Sequence, residues 1–144
     1  LAGVAEAALR GRTGRVVLVP VPSARAARRA RGHDPVGALA AATARLLAAR
    51  GRPAVAAPVL GRRRRVADQA GLGAASRLAN LRGAFHAAGP VPPGRCVLVD
   101  DVVTTGATLA EAARALGEAG ARPELAITVA ATRRREKSGH GYAT

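Results

Sequence analysis

The sequence predicts an α/β domain built on a mainly parallel, twisted sheet flanked by helices. Three observations carry that reading. Apolar, strand-like runs alternate with stretches of helical period along most of the chain. One apolar run, residues 96–99, is followed directly by Asp100 and Asp101, then by the small-residue turn Thr104-Thr105-Gly106-Ala107-Thr108, which feeds a helix. A length of 144 residues suffices for one domain with a core of its own.

The elements follow in order. Residues 1–10 are alanine-rich, with apolar positions at Leu1, Val4, Ala8 and Leu9, and predict a helix ending near Gly11. Residues 15–21 predict a buried strand closed by Pro20 and Pro22. A polar segment rich in arginine (Arg25, Arg28, Arg29, Arg31) leads to a helix over residues 36–50, amphipathic through Leu39, Ala40, Ala42, Leu46 and Leu47 and stopped at Gly51. Residues 54–60 predict a short strand. Residues 61–81 are polar and expected to be mobile, with four arginines at 62–65, then Asp68, Gln69, two glycines, Arg77 and Asn80. Residues 83–87 predict another short strand, pairing with the preceding one as an antiparallel excursion. The Gly- and Pro-rich loop 89–94 enters the strand 96–99. A helix is expected from about Leu109 to Gly117 and a strand from about Glu124 to Ala131. Residues 1–132 thus form one domain, and residues 133–144 are expected to be a basic, disordered tail. No internal repeat is present.

The stretch around Asp100 carries the chemistry. Ligands of open α/β sheets bind outside the carboxyl ends of strands. A loop of small residues entering a helix offers free N–H groups and the positive end of the helix dipole, which suits phosphate. Asp100 and Asp101 can accept hydrogen bonds from vicinal hydroxyls or face a metal. Thr104, Thr105 and Thr108 offer hydroxyl donors, and Gly106 tolerates positive φ and close approach of the backbone. Acids followed by a phosphate cradle suit a sugar phosphate. The competing explanation is local: Asp-Asp ends a strand and Thr105 caps a helix.

Composition bounds the remaining possibilities. The net charge is +14, and Lys137 is the single lysine among 23 cationic residues. Arginine suits bidentate phosphate recognition, and a surplus of this size attracts polyanions without choosing among them. Phe85 and Tyr142 are the only aromatics, too few for the base-stacking platforms of single-strand binding. Cys96 stands alone, so no internal disulfide and no cysteine zinc site can form; its place in an apolar run makes it a core residue. His33, His86 and His140 show no metal-ligand spacing, and Ser23 has no His–Asp arrangement beside it. No long uncharged apolar stretch and no basic leader is present, so no membrane partner is expected and a cytoplasmic location is. The chain lacks Met altogether, which points to a processed or trimmed piece.

The segment from Arg95 to Leu109 closely resembles the phosphoribosyl-pyrophosphate (PRPP) signature of type I phosphoribosyltransferases. Two further stretches resemble the ComF-type competence branch of that family. One is Val19-Pro20-Val21-Pro22 with the basic run ending Arg31-Gly32-His33-Asp34. The other is the spacing of Gln69, Leu72, Arg77, Asn80, Gly83, Ala84 and Phe85. Four features depart from the branch: His33 stands where Phe or Tyr is expected, Pro35 follows Asp34 where Gln or His is common, Val66 stands where Thr is usual, and no N-terminal cysteine zinc ribbon is present.

The resemblance implies a type I phosphoribosyltransferase-like, Rossmann-like fold whose antiparallel excursion carries a flexible loop. It implies transfer of 5-phosphoribose from PRPP, with Mg²⁺, to an acceptor nucleophile, releasing pyrophosphate. Asp100 and Asp101 would hold the ribose, with Arg77 as a further catalytic candidate. Residues Thr104, Thr105, Gly106, Ala107 and Thr108 would hold the 5′-phosphate, and Ser23 and Arg31 the pyrophosphate. Arg64, Gln69, Arg77 and Asn80 would belong to the flexible loop. Family members that salvage 6-oxopurines carry an acid where this chain has Thr104, which disfavours that substrate class. Two other classes stay open: a competence protein handling single-stranded DNA on the same fold, and a non-catalytic PRPP sensor. The acceptor and the oligomeric state are not specified.

Overall fold

The computed structural model describes residues 1–22, 34–63 and 81–132. Ala2–Ala8 form α1 and Val16–Pro20 form β1, in which all five residues are buried. An uninterrupted apolar run is what a parallel strand covered on both faces requires. Pro35–Ala49 form α2. Its start is chemically specified: the Asp34 carboxylate accepts from the Gly37 N–H at 3.0 Å, and Pro35 needs no amide partner in the first turn. Ala54–Ala56, Leu60–Arg62, Phe85–Ala87 and Arg95–Val103 form β2 to β5. Ala107–Glu118 form α3, and Leu125–Ala131 form β6.

Four strands make one parallel sheet in the order β2-β1-β5-β6. From β1 the chain passes through α2 to β2 on one side. From β5 it passes through α3 to β6 on the other. The direction of winding therefore reverses between β1 and β5, so the two crossover helices lie on opposite faces of the sheet. The core records this. Val16, Leu18, Val97, Val99 and Ile127 pack with Ala5, Leu9, Val36, Ala40 and Leu47 of the α1–α2 layer. Val17, Val19, Cys96 and Leu98 pack on the other face with Ala112, Ala115 and Leu116 of α3. Leu47 and Leu116 are both fully buried, each contributing about 1.5–3 kcal/mol of hydrophobic stabilisation.

The antiparallel excursion forms as expected: β3 pairs with β4 through Leu60↔Ala87, Gly61↔His86 and Arg62↔Phe85. Several boundaries differ from the sequence expectation. The single strand expected over 54–60 is broken in two. Ala57 makes the last bond to the main sheet, to the Leu18 carbonyl at 2.9 Å. Pro58, which has no N–H to offer, then lets the chain leave the sheet for the β3–β4 hairpin. The strand expected to stop at Val99 continues to Val103, and the helix expected from Leu109 starts at Ala107.

The entry to β5 depends on Gly94. Its φ is +145°, and a Cβ there would stand 2.7 Å from the Arg15 carbonyl oxygen. Close by, Glu124 receives both Arg12, at 2.8 Å, and Arg95, at 2.5 Å, while Arg52 donates to the carbonyls of Leu9 and Arg12. These contacts tie the amino-terminal edge of the sheet to the end of α1. Among the described residues, no helix is long and apolar enough to cross a membrane.

Candidate active site

The site is built where β5 outruns β1. The last paired residue of β1 is Pro20, opposite Val99, and the Val21 N–H donates to the Val99 carbonyl at 2.8 Å. Beyond that point β5 keeps, among the described residues, only its β6 neighbour, through Asp100↔Thr128, Val102↔Ala130 and Val103↔Ala131. Asp100 and Asp101 are thus strand residues rather than the first residues of a loop. Asp100 Oδ1 accepts from the Asp101 N–H at 2.9 Å, which satisfies an amide that has lost its β1 partner. Asp101 Oδ1 accepts from the Val102 N–H at 2.8 Å.

The two carboxylates sit in different surroundings. Asp100 is only 5% exposed, whereas Asp101 is half-buried. Burial pushes the Asp100 carboxyl up to about 6; the Asp101 amide opposes this, and the neighbouring Asp101 carboxylate adds to it. Among the described residues neither aspartate has a salt-bridge partner. The pair is a concentrated negative charge without a cation from the described chain.

The cradle follows at once. Thr104 and Thr105 are exposed. Gly106 caps α3 in the left-handed region at φ +76°, and a Cβ there would meet nothing within 4 Å. The first turn of α3 has no side-chain cap at its N-cap residue and no acid. The Thr105 hydroxyl accepts from the Ala107 N–H over a long 3.4 Å. The capping explanation holds in part: the N-cap is Gly106, which has no side-chain cap, and the Thr105 hydroxyl caps the Ala107 amide. Thr108 lies on that turn, half-buried.

Asp100, Asp101, Thr104, Thr105, Gly106, Ala107 and Thr108 are therefore gathered at one end of the sheet, at the point where the winding reverses. Ser23, Arg31, Arg64, Gln69, Arg77 and Asn80 lie outside the described residues. Cys96 is buried, with its thiol pushed up to about 11 by burial and then by Glu124; it is a core residue. The His86 ring lies over Gly61, where a Cβ would stand 2.6 Å from the ring carbon Cε1, so its role is packing within the hairpin. No group of three metal-ligating side chains occurs among the described residues.

One cluster escaped sequence reasoning. Glu111 of α3 is 5% exposed yet charged. It accepts from Arg114 Nε and Nη2, both at 2.8 Å, and from the Phe85 N–H at 3.4 Å. Arg114 also donates to the Phe85 carbonyl at 3.3 Å and pairs with Glu118. The hydrogen bonds from Arg114 hold the Glu111 carboxyl below its usual value. The available signal was a glutamate on the alanine face of an amphipathic helix, with arginine three residues later.

Comparison with known proteins agrees with this geometry. The family model of the phosphoribosyl transferase domain matches residues 38–143. The ribose-phosphate pyrophosphokinase of Haemophilus ducreyi is 50% identical over 44 residues, which cover 31% of this chain. The chain spans only 14% of that relative's length. No solved structure matches the chain. A parallel sheet whose winding reverses beside an acid pair and a glycine-capped helix, under a family match of more than half its length, places the chain in the phosphoribosyl transferase domain family.

Proposed function

We propose that the carboxyl-terminal edge of the sheet binds PRPP and transfers its 5-phosphoribosyl group to an acceptor nucleophile, releasing pyrophosphate. The observation that carries this is the start of α3, whose N-cap glycine brings no side-chain cap and whose first turn holds no acid. A left-handed glycine with open space before it stands directly after two carboxylates at the reversal of the sheet. The 5′-phosphate takes the amides of the first turn, with the hydroxyls of Thr105 and Thr108 beside them. The ribose hydroxyls donate to Asp100 and Asp101. As the bond from the anomeric carbon to pyrophosphate breaks, positive charge grows on the sugar, and two fixed carboxylates stabilise it without reorganising. The name of the Haemophilus relative, which joins ribose phosphate to pyrophosphate, fits a ligand of this kind.

Magnesium fits the donor set. Hard carboxylate oxygens suit it, and a site offering only two protein carboxylates leaves room for the waters and phosphate oxygens that Mg²⁺ retains. Asp100, buried, raised to about 6 and with no cation beside it among the described residues, is a group whose ionised form a divalent ion would favour. Bound there, the ion would neutralise charge shared between ribose and pyrophosphate oxygens.

The ComF-type branch is the finer reading. It rests on Val19-Pro20-Val21-Pro22, on Gly83-Ala84-Phe85 and on stretches outside the described residues. Single-stranded DNA as a second ligand rests on the +14 charge; if it binds, log affinity falls linearly with log salt, by about 0.7 per phosphate neutralised. The decisive experiment is calorimetry of PRPP with and without Mg²⁺, beside a single-strand titration over salt. Magnesium-dependent PRPP binding supports the proposal. DNA binding with no PRPP binding in either condition overturns it.

A further inference from the structure

The Glu111–Arg114 pair has no part in the site described above, yet Glu111 is the most heavily bonded buried polar side chain among the described residues. Both residues bond the backbone of Phe85. Glu111 receives the Phe85 N–H, and Arg114 donates to the Phe85 carbonyl. Phe85 is itself 1% exposed and packs in the same cluster as Ala112, Ala115 and Leu116. Phe85 is the direct cross-strand partner of Arg62. The β3–β4 ribbon shares no strand pairing with the main sheet. An isolated two-stranded ribbon is marginal in water, so its placement depends on what docks it to α3. Facing residues of an antiparallel pair project on the same side, which puts Arg62 on the side of the hairpin that meets α3.

We propose that Glu111 and Arg114 are positioning residues: they hold the β3–β4 hairpin, and with it Arg62, in fixed register against the helix whose first turn makes the phosphate cradle. Glu111 lies one turn past Thr108, so the same short helix presents the cradle at its start and grips the hairpin along its side. The pair thereby sets the position of one further cation relative to a ligand held in the cradle. This rests on the PRPP reading. It predicts that a ligand extending beyond the cradle feels the pair, whereas one confined to the cradle does not. Ribose 5-phosphate is the confined ligand, and PRPP, which adds the pyrophosphate, is the extended one.

The test uses the whole chain. Arg114→Met alone strands a buried carboxylate, so it is accompanied by the double variant Glu111→Leu/Arg114→Met, which removes both charges and keeps apolar volume. In the folded double variant, PRPP affinity is expected to fall about tenfold or more while ribose 5-phosphate affinity stays within about twofold. Arg62→Gln is expected to lose a similar factor for PRPP, and adding it to the double variant is expected to cost nothing further, the signature of residues acting through one another. Equal losses for both ligands, additive losses with Arg62→Gln, or unchanged PRPP affinity would each overturn the proposal. Amide exchange reads the docking without any ligand: Phe85 and its β4 neighbours are expected to exchange about tenfold faster or more in the double variant. Unchanged exchange overturns the positioning role whatever the protein binds. Wild-type protein that binds neither ligand, with exchange accelerated as expected, overturns the PRPP reading and the ligand coupling together while the docking itself stands.

Discussion

The two edges of the sheet use charge in opposite ways. At the amino-terminal edge, charged groups and carbonyls are paired within the chain. Glu124 holds Arg12 and Arg95, Arg52 is spent on the carbonyls of Leu9 and Arg12, and Glu6 holds Arg50 at 2.7 Å. At the carboxyl-terminal edge, the described groups are left open. Asp100 and Asp101 have no cation partner among the described residues, and the first turn of α3 has no acid and no side-chain cap at Gly106. Stability is invested at one end and ligand capacity is kept at the other. A glycine is critical at each end for a different reason: Gly94 avoids the chain's own backbone, whereas Gly106 keeps a space clear.

That contrast can be broken at each end. The largest effect is expected from Gly94→Ala. Its Cβ meets the Arg15 carbonyl and its φ is positive, so stability should fall by about 2–4 kcal/mol in denaturant titration. Ligand affinity of the molecules that remain folded should not change; a selective loss of affinity would show that the two edges are coupled. Gly106→Val is the converse. No described residue blocks the side chain, so the stability loss should be confined to φ strain, about 1–2 kcal/mol. PRPP affinity should fall about a hundredfold, equivalent to about 2.7 kcal/mol. Calorimetry showing undiminished affinity would remove Gly106 from the site.

Asp100→Asn sharpens the comparison through pH. Burial raises the carboxyl from 3.8 to about 6, so the folded protein binds this proton more tightly than the unfolded chain. Stability from this group is therefore full below about pH 4 and declines as pH rises through about 6. The variant escapes the decline. Its stability relative to wild type should be near zero at pH 4 and grow to about 1–3 kcal/mol above pH 7. PRPP affinity should meanwhile drop about tenfold. A variant less stable than wild type at pH 8 would mark Asp100 as structural. The smallest effect is expected from Glu124→Gln at the paired edge. The ion pairs there are partly exposed, at 29% for the Glu124 side chain, so the loss should be about 0.5–1 kcal/mol and should shrink with added salt.

The legibility of these features in the sequence follows their range. Strand β5, the acid pair and the cradle lie within fifteen consecutive residues, so a local pattern sufficed to place them together. The break at Pro58 was also local, but a run of apolar residues across it resembled one strand. The extension of β5 to Val103 was not legible, because polar Asp100 and Asp101 interrupt the apolar run while the ladder to β6 continues past them. The role of Asp34 as the cap of α2 was encoded in Asp-Pro before an apolar helix, although the family pattern drew attention elsewhere. Glu111 and Arg114 could not be assigned from sequence, because their partners are the backbone N–H and carbonyl of Phe85, 26 residues before Glu111.

Phe85 has a further use. It is the only Phe, Tyr or Trp ring among the described residues, and it is buried at the contact between the hairpin and α3. Ring currents displace the resonances of methyl groups stacked near an aromatic face, and in most cores several rings overlap in this effect. Here one ring acts on a neighbourhood of Leu60, Ala112, Ala115 and Leu116. A strongly displaced methyl signal from Leu60, Ala112, Ala115 or Leu116 therefore reports on this contact. The molecule carries a built-in spectroscopic label at the joint between its cradle helix and its hairpin, readable by proton NMR without any isotope at a chosen site.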